Sequence, residues 1–595
     1  MSRSEPIMAP AMTETDEAAT ATADAALAAF FEGYNDATLA RAPTLKTQRG
    51  IVDADYGRWN DVSDAAAIAA FEEDLAYLAE MRRNFADAPL SDEARASYRL
   101  FEAMMVRRAA AFPYRRNAYL FDQQRGQQAA LPAFLINIHQ VRNAFEAEAY
   151  VSRLEGVGPL MDQLIEEARI RADGGAIPPR WVFAYLKDDI RNLLDGVPFT
   201  KTGADTALYA DLKTKIAALD IPEPEKAALV AAGEAALLTS VKPAYERLLA
   251  FVEALESRAG TVDGVHRFDD GAAYYTERLK YYTTTDMTAA EVHDLGLQQV
   301  GRIHGEMQEI MDRLGFAGTR ADFFQMLRTE PRFFHQDRES YLAEARAKLA
   351  AMDARLPDYF GHLPKADFII KPVEAFREKS AGKAFYNAPT PDGSRPGTYY
   401  VNLFNLRNMS KTELEALAYH EAKPGHHLQR ALQVETEGLP AFRRFGGFTA
   451  YTEGWGLYSE ELGKDMGFYE DPYSDFGRLG MELWRAARLV VDTGIHDKGW
   501  SREKAIAYLT ENTPNPDGDI RKAIERYIVY PGQATAYMIG KLKIMELRSR
   551  AMAAAEARGE PFDWRGFHDA VLLSGPVPLD VLEANIDAWI AAQDG

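Results

Sequence analysis

The chain has 595 residues, of which 47% are hydrophobic and 26% are charged, and this composition is ordinary for a globular protein. Its 68 lysines and arginines against 89 aspartates and glutamates leave a formal charge of −21, which repels nucleic acid and anionic membrane surfaces and argues against both as partners. There is no cysteine, so disulfides, thiolate metal sites and cysteine nucleophiles are excluded. Any metal must be bound by histidine, aspartate or glutamate.

Residues 1–25 are predicted to form a polar, disordered leader, because Glu14, Asp16 and Glu17 interrupt the apolar stretch that a secretory signal needs. No later window supplies the roughly 18 uncharged apolar residues of a membrane-spanning helix. We therefore expect a cytoplasmic protein, in preference to a periplasmic one, that does not contact a membrane. The sequence leaves the oligomeric state open.

Residues 26–595 are expected to form one domain of two helical lobes. From residue 26 to residue 260, segments rich in Ala, Leu, Glu and Arg alternate with Pro and Gly clusters such as residues 174–179. This part contains few side chains suited to chemistry and is predicted to be a scaffold lobe. Residues 261–595 are predicted to form the lobe that carries a functional site.

Two helix starts are legible in the second lobe. Thr288 with Glu291, and Ser410 with Glu413, both fit the capping box, and helical spacing of apolar residues follows each pair. The sequence thus predicts a mainly α-helical fold.

The segment 397–403, Gly-Thr-Tyr-Tyr-Val-Asn-Leu, differs from its surroundings because its aromatic and β-branched residues favour a strand. We expect a small sheet that borders a central cleft between the lobes. An extended peptide can pair with the edge of a sheet, so Tyr399 and Asn402 on this strand are candidates for substrate binding or for supporting the site.

Histidines cluster at one place: three of the 11 in the chain lie between His420 and His427. In zinc peptidases with H-E-x-x-H, one helical turn places two imidazoles on the same face, and the glutamate after the first acts on the water that the metal activates. Here the second histidine comes later. On a straight helix His420 and His427 would be about 10 Å apart along the axis, too far to bind one ion.

Pro424 and Gly425 resolve this conflict, because proline interrupts a helix and glycine adopts backbone angles that other residues avoid. A bulge that absorbs two residues would make His426 the second metal ligand, and one that absorbs three would select His427. We favour His426, with His427 as the alternative.

A hydrolytic zinc site has a third protein ligand and an open fourth position. The helical segment Tyr451–Glu461 supplies carboxylates at a suitable distance along the chain. Glu453 is the preferred third ligand because aromatic residues and glycines surround it, and Glu460, two turns further on the same face, is the alternative.

The sequence H-E-A-K-P-G-H-H-L-Q at His420–Gln429 resembles the hallmark of the domain-of-unknown-function 885 (DUF885) family, a group of zincin-like metallopeptidase relatives. The similarity extends to residues 271–275, 290–296, 393–402, 453–458, 488–496 and 530–537. More distantly, the arrangement is similar to gluzincin-type enzymes such as the helical oligopeptidases and the angiotensin-converting-enzyme-like carboxypeptidases, which hold zinc in a deep cleft. The resemblance implies one Zn²⁺ per chain and oligopeptide substrates.

Roles for further residues follow from this resemblance and from chemical need. Glu421 fits the general base, since it is adjacent to a metal ligand. The resemblance implies a tyrosine hydroxyl as donor to the oxyanion, and Tyr530 and Tyr537 are the candidates. Asp492 and His496 lie four residues apart on a predicted helix, and we expect them to orient a ligand or to bind substrate.

The sequence therefore predicts a zinc metallopeptidase that cleaves short oligopeptides. Two alternatives stay open: a metal-dependent hydrolase of a non-peptide amide or ester, and a catalytically silent peptide-binding protein. The acidic balance of the chain favours neutral or basic peptides as substrates.

Overall fold

The computed structural model describes residues 14–374, 377–379 and 381–593. The first part of the chain folds into α-helices of moderate length, which are α1 (Glu14–Ala40), α2 (Pro43–Gln48), α3 (Asp64–Phe85), α4 (Asp92–Ala111), α5 (Gln127–Asn137), α6 (Ala144–Glu155), α7 (Val157–Asp173), α8 (Val182–Leu194), α9 (Ala207–Ala217), α10 (Glu223–Ala236) and α11 (Lys242–Glu256).

The second part contains further helices and three short strands. Before the predicted site the elements are α12 (Gly271–Thr283), α13 (Ala289–Arg313), α14 (Arg320–Thr329), α15 (Arg338–Asp353), α16 (Leu356–Tyr359), β1 (Phe368–Pro372), β2 (Ala384–Asn387) and β3 (Gly397–Val401). The remaining elements are α17 (Lys411–Glu421), α18 (His426–Glu435), α19 (Ala441–Arg444), α20 (Thr449–Asp465), α21 (Pro472–His496), α22 (Arg502–Asn512), α23 (Asp517–Val529), α24 (Ala536–Arg558), α25 (Trp564–Leu572) and α26 (Leu579–Ala592). The predicted mainly α-helical fold with a small sheet is confirmed.

The beginning of the chain differs from the prediction. Residues 1–13 of the expected leader lie outside the described residues, but α1 begins at Glu14, so a disordered leader is wrong for residues 14–25. Alanine-rich sequence favours a helix, and α1 further along buries Leu27 and Phe31 against α3 and α4. The carboxylate of Asp24 accepts a hydrogen bond from the backbone N–H of Ser91 at 3.0 Å, which fixes the helix to the loop between α3 and α4.

The two predicted capping boxes have different outcomes. Thr288 and Glu291 form a complete box at the start of α13. Ser410 caps α17 by accepting from the N–H of Thr412, but Glu413 does not complete the box. Its carboxylate forms an ion pair with Lys383 instead, because that largely buried charge needs a counter-ion.

The strand predicted at residues 397–403 is β3, but its position in the sheet differs from the expectation. The strand order is β1-β3-β2, with β3 parallel to β1 and antiparallel to β2. Since β3 has a partner on each side, it offers no edge to a substrate. Among the described residues, β2 has one unpaired edge, and Ala384–Asn387 line the cavity described below.

Helix α21 forms the centre of the second part of the chain. All residues from Asp475 to His496 are buried, because α13, α17, α20 and α24 pack around it. A helix buried on all sides must pair its polar groups internally, and α21 carries Arg478, Glu482 and Arg485 in such pairs. Within the described ranges, no helix combines the length and the apolar character that crossing a membrane requires.

Candidate metal centre and its cavity

The histidine motif lies on two helices that a short break separates. Helix α17 ends at Glu421 and α18 begins at His426. A Cβ on Gly425 would lie 2.0 Å from the carbonyl oxygen of His420, so only glycine allows the chain to turn back this closely. The indole N–H of Trp455 donates to the carbonyl of Pro424 at 2.9 Å and holds the break in place. The break returns His426 to the side of His420.

Three side chains meet at this point. Nε2 of His426 lies 3.3 Å from Oε2 of Glu453, and Nε2 of His420 lies 3.6 Å from the same oxygen. The two imidazole centroids are 4.6 Å apart, with their planes at 80°. All three potential ligand atoms lie within 4.8 Å of one another. The preferred ligand set predicted from the sequence is therefore brought together.

The donor set fits zinc. Two ligand atoms that are each about 2.1 Å from a tetrahedral ion are about 3.4 Å apart, close to the 3.3 and 3.6 Å observed from the histidines to Glu453. Two imidazoles and one carboxylate also match the His₂Glu composition of catalytic zinc sites. The group lies on a cavity wall, which leaves a fourth position open to a small molecule.

Electrostatics at the site favours a bound cation. Burial acts to lower the pKa of His420, but hydrogen bonds with Glu453 and Glu460 outweigh it and raise the pKa to about 10. Burial would raise the pKa of Glu453, yet hydrogen bonds with His420 and His426 hold it well below its usual value. Bound protons stabilise the buried carboxylates at this site. A metal ion that binds the same atoms would take the place of these protons.

The alternative ligands Glu460 and His427 occupy other places. Oε1 of Glu460 is 2.8 Å from Nδ1 of His420, on the side of the ring opposite Glu453, and Arg485 forms an ion pair with it at 3.1 Å. Glu460 therefore orients His420 and leaves Nε2 to face Glu453. Nδ1 of His427 pairs with the hydroxyl of Tyr386 at 2.8 Å, away from the three meeting side chains. Burial lowers the pKa of His427 to about 4.

Glu421 lies on the cavity wall beside the ligand atoms. Its side chain is buried, and Oε2 has no hydrogen-bond partner among the described residues. Burial raises the pKa of Glu421, whereas His420 and His426 oppose the rise. The carboxyl group of Glu421 thus borders the cavity with hydrogen-bonding capacity that no described protein group uses, as a proton acceptor requires.

The cavity has a volume of about 800 Å³, within the range of small-molecule binding sites. Its walls come from the segment before and within α5, from β2 and the loop before it, and from α17, α18, α20, α21, α23 and the start of α24. The contribution of residues 123–133 was not predicted, since the first 260 residues were expected to serve only as a scaffold.

The two candidate tyrosines both line the cavity, at different distances from the centre. The ring of Tyr537 stacks on that of His420 with centroids 6.2 Å apart, and its hydroxyl accepts a hydrogen bond from Arg526 at 3.1 Å. Tyr530 packs on Tyr282, and its hydroxyl accepts from Arg125. Tyr537 is therefore the one that adjoins the three meeting side chains.

Asp492 and His496 lie behind the wall. Asp492 accepts hydrogen bonds from the hydroxyl of Tyr275 at 2.7 Å and from the N–H of Gly532 at 3.0 Å. His496 accepts at Nδ1 from a backbone N–H, so its Nε2–H donates to the carbonyl of Tyr527 at 2.9 Å. Both residues are fully enclosed and hold the segment around Tyr530, so direct substrate binding is wrong for them.

The two residues predicted on β3 also differ from each other. Tyr399 is completely buried on the central strand and does not line the cavity, so it does not contact a substrate. Asn402 lines the cavity, and its amide donates to the carbonyls of Glu378 and Ala381 at 2.8 and 2.9 Å. It shapes the loop that leads into β2.

Sequence reasoning missed the arginines of the cavity. Arg430, Arg485, Arg488 and Arg526 all line it. Arg430 lies four residues after His426 on α18, so helical spacing alone could have identified it. The others come from α21 and α23, and no local pattern marks them.

A sequence model of the family described as "Bacterial protein of unknown function (DUF885)" matches residues 43–586. The chain belongs to the DUF885 family. No curated protein matches the sequence. Membership in DUF885 agrees with the resemblance carried by the histidine motif.

Solved structures resemble this DUF885 chain over most of its length. A "putative lipoprotein" from Colwellia psychrerythraea has 30% identity and a TM-score of 0.89, and the match covers 96% of this chain and 99% of the other. A "putative lipoprotein of unknown function" from Shewanella oneidensis has 19% identity and a TM-score of 0.67, with 94% and 99% covered. These descriptions do not support the cytoplasmic location expected from the sequence, which stays a prediction.

Proposed function

We propose that this DUF885 protein is a zinc-dependent metallopeptidase that hydrolyses short oligopeptides. The observation that carries the proposal is the group of His420, His426 and Glu453, whose ligand atoms have the spacing of a tetrahedral zinc site on the wall of a cavity that also contains Glu421. These three side chains would hold the ion. A bound zinc supplies a Lewis acid and a water of lowered pKa at the open position.

The residues of the chain divide the remaining work. Glu421 takes a proton from the attacking water and delivers it to the amine that leaves when the C–N bond breaks. Tyr537 accepts a hydrogen bond from Arg526, so its own hydroxyl proton is free to bind the oxygen of the substrate carbonyl as negative charge develops there. Glu460 keeps His420 in the orientation that its role as a ligand requires.

The unpaired edge of β2 provides a place for the peptide. Residues 384–387 line the cavity with one strand edge free, and an extended substrate can add to such an edge through backbone hydrogen bonds. This assigns to β2 the role that the sequence suggested for β3. The cavity is closed to a folded chain by its size, which supports oligopeptides as the substrate class.

Metal content of the purified protein tests the ligand set. We expect one zinc per chain in the wild type, its loss in His420→Ala and in His426→Ala, and its retention in His427→Ala, which serves as the matched control. Folding of each variant is followed by circular dichroism. Zinc lost with His427→Ala and kept with His426→Ala would contradict the proposed ligands, and folded protein that binds no offered zinc would overturn the function.

Glu421→Gln tests the proposed base separately from the metal. The variant should keep its zinc and lose peptide hydrolysis, because an amide cannot accept the proton. Full activity in this variant would refute the role of Glu421.

A further inference from the structure

The charge of the cavity is opposite to that of the chain. The formal charge of the protein is −21, yet eight lysine and arginine side chains line the cavity against only three carboxylates, those of Glu421, Glu453 and Asp519. Walls of low dielectric focus such a field and concentrate ligands of the opposite sign. The cavity thus favours an anionic group, contrary to the preference for neutral or basic peptides expected from net charge.

Some of these cations are already neutralised within the protein. Lys383 forms ion pairs with Glu413 and Asp519, and Arg485 forms one with Glu460. In the described part of the chain, Arg488 and Arg526 form no ion pair with any carboxylate. Their hydrogen bonds in this part of the chain go to neutral groups, so neither guanidinium is held by a carboxylate.

The side chain of Arg488 is held rigidly while part of it lacks a partner. Only 7% of the residue is exposed, and its Nε donates to the hydroxyl of Tyr527 at 2.8 Å. Nη1 is buried without a hydrogen-bond partner in the described structure. A buried guanidinium without a counter-ion is costly, and a bound anion would remove that cost.

Arg526 lies on the same aromatic ring as Arg488. The guanidinium carbons are 4.4 Å (Arg488) and 5.9 Å (Arg526) from the ring centroid of Tyr537. Arg526 also donates to the hydroxyl of Tyr537 and to Gln533. Since Tyr537 stacks on His420, both charges lie next to the metal ligands.

We propose that the cavity recognises its substrate through a carboxylate, which Arg488 and Arg526 bind beside Tyr537, close to the bond that is cleaved. A guanidinium matches a carboxylate with two parallel hydrogen bonds, so an arginine pair selects this group over a neutral amide. Every linear peptide offers a C-terminal carboxylate, and aspartate and glutamate side chains offer another. This inference rests on the proposed peptidase function and specifies its substrates.

Matched peptides test the inference and separate the two sources of the carboxylate. A library of N-acetylated pentapeptides is made with the C terminus as free acid or as amide, and with glutamate or glutamine at each position. We expect kcat/KM to fall about tenfold or more when the recognised carboxylate is replaced by the amide. A loss confined to C-terminal amidation assigns the terminal carboxylate, and a loss confined to one glutamate position assigns the side chain.

Variants connect the preference to the two arginines. In Arg488→Gln and Arg526→Gln the ratio of kcat/KM for the acid peptide to kcat/KM for the amide peptide should fall to about one. This ratio is the readout because Arg526 also donates to the hydroxyl of Tyr537, so its loss lowers hydrolysis of both peptides. Arg488→Lys keeps the positive charge and should therefore retain part of the preference for the acid peptide. Arg83→Gln removes one exposed positive charge from α3 and is the matched control. Zinc content and circular dichroism verify that each variant is folded.

The outcomes separate this inference from the proposed function. Hydrolysis with equal kcat/KM for acid and amide forms, and for glutamate and glutamine, would overturn the inference and leave the peptidase intact. If the wild type hydrolyses none of the peptides, the peptidase proposal fails. Calorimetric binding of the same peptides then tests the carboxylate site by itself. Tighter binding of the acid form that is lost in Arg488→Gln would support the carboxylate site, and equal binding of both forms would overturn it.

Discussion

Replacing Gly456 with alanine should remove the metal without touching a ligand. Gly456 lies on α20 against the imidazole of His420, and a Cβ here would lie 2.7 Å from Cε1 and 2.8 Å from Nε2 of that ring. Ordinary contacts begin at 3.4 Å, so the ring must move by about 0.7 Å. Zinc–ligand distances tolerate only about 0.2 Å, and Glu460 restrains the other ring nitrogen.

Mutation of a residue that supports a metal ligand typically lowers metal affinity about 10- to 100-fold, and we expect Gly456→Ala to lower zinc affinity by at least as much. At a free zinc concentration 100 times the wild-type Kd, zinc stabilises the wild type by about 2.7 kcal/mol. A variant with a 100-fold weaker site would gain only about 0.4 kcal/mol under the same conditions.

Gly463→Ala is the matched control on the same helix. Its Cβ would lie 2.9 Å from the ring of Tyr419 and 3.0 Å from that of Tyr469, so the crowding is similar but the metal ligands are not involved. Both variants should lose about 1–3 kcal/mol of unfolding free energy without zinc. Only Gly456→Ala should fail to recover stability when zinc is added. Competition with a chromophoric chelator measures the affinity, and an affinity equal to that of the wild type would refute the reasoning.

Three further predictions concern the surroundings of the site. Glu453→Ala should weaken zinc retention more than Glu460→Ala, because Glu453 faces the ion and Glu460 acts through His420; the reverse order in metal analysis would reassign the ligand. Tyr537→Phe should lower kcat by about 10²–10³ with zinc retained, whereas Tyr530→Phe should change it much less, and equal effects in steady-state kinetics would count against the assignment. Burial raises the pKa of Asp492 to about 7 from an ordinary 3.8, so its ionisation destabilises the fold as pH rises from about 4 to 7. Asp492→Asn should therefore gain about 2–3 kcal/mol relative to the wild type between pH 5 and pH 8, and urea unfolding that shows a pH-independent difference would contradict this.

The parts of the site that the sequence predicted are those that depend on local geometry. His420 and Glu421 are adjacent on one helix, and the proline and glycine that follow predict a break in the helix before His426. The helix that carries Glu453 was recognisable from its own composition. The position of His426 after the break could not be predicted from the motif. It depends on the close backbone approach at Gly425 and on a hydrogen bond from Trp455, a residue outside the motif.

The wrong predictions concern long-range packing. The strand at residues 397–403 was recognised, but which strands flank it depends on chain segments on both sides, and pairing placed it at the centre. Glu413 has the position of a capping-box residue, but its carboxylate pairs with Lys383, which lies 30 residues earlier in the chain. The polar start of the chain looked disordered, but helix α1 continues through it from Glu14.

The sequence by itself determined the helical class, the family and the residue types available to a metal, because helical periodicity, a histidine motif and the absence of cysteine are local or compositional properties. Only the tertiary structure decided that Glu460 orients His420, that β2 provides the strand edge and that the cavity is basic. Four of its arginines come from α18, α21 and α23, and the carboxylates that give the chain its net charge lie mostly elsewhere. The sign of the field in a cavity depends on which side chains fold toward it, and net charge does not contain that information.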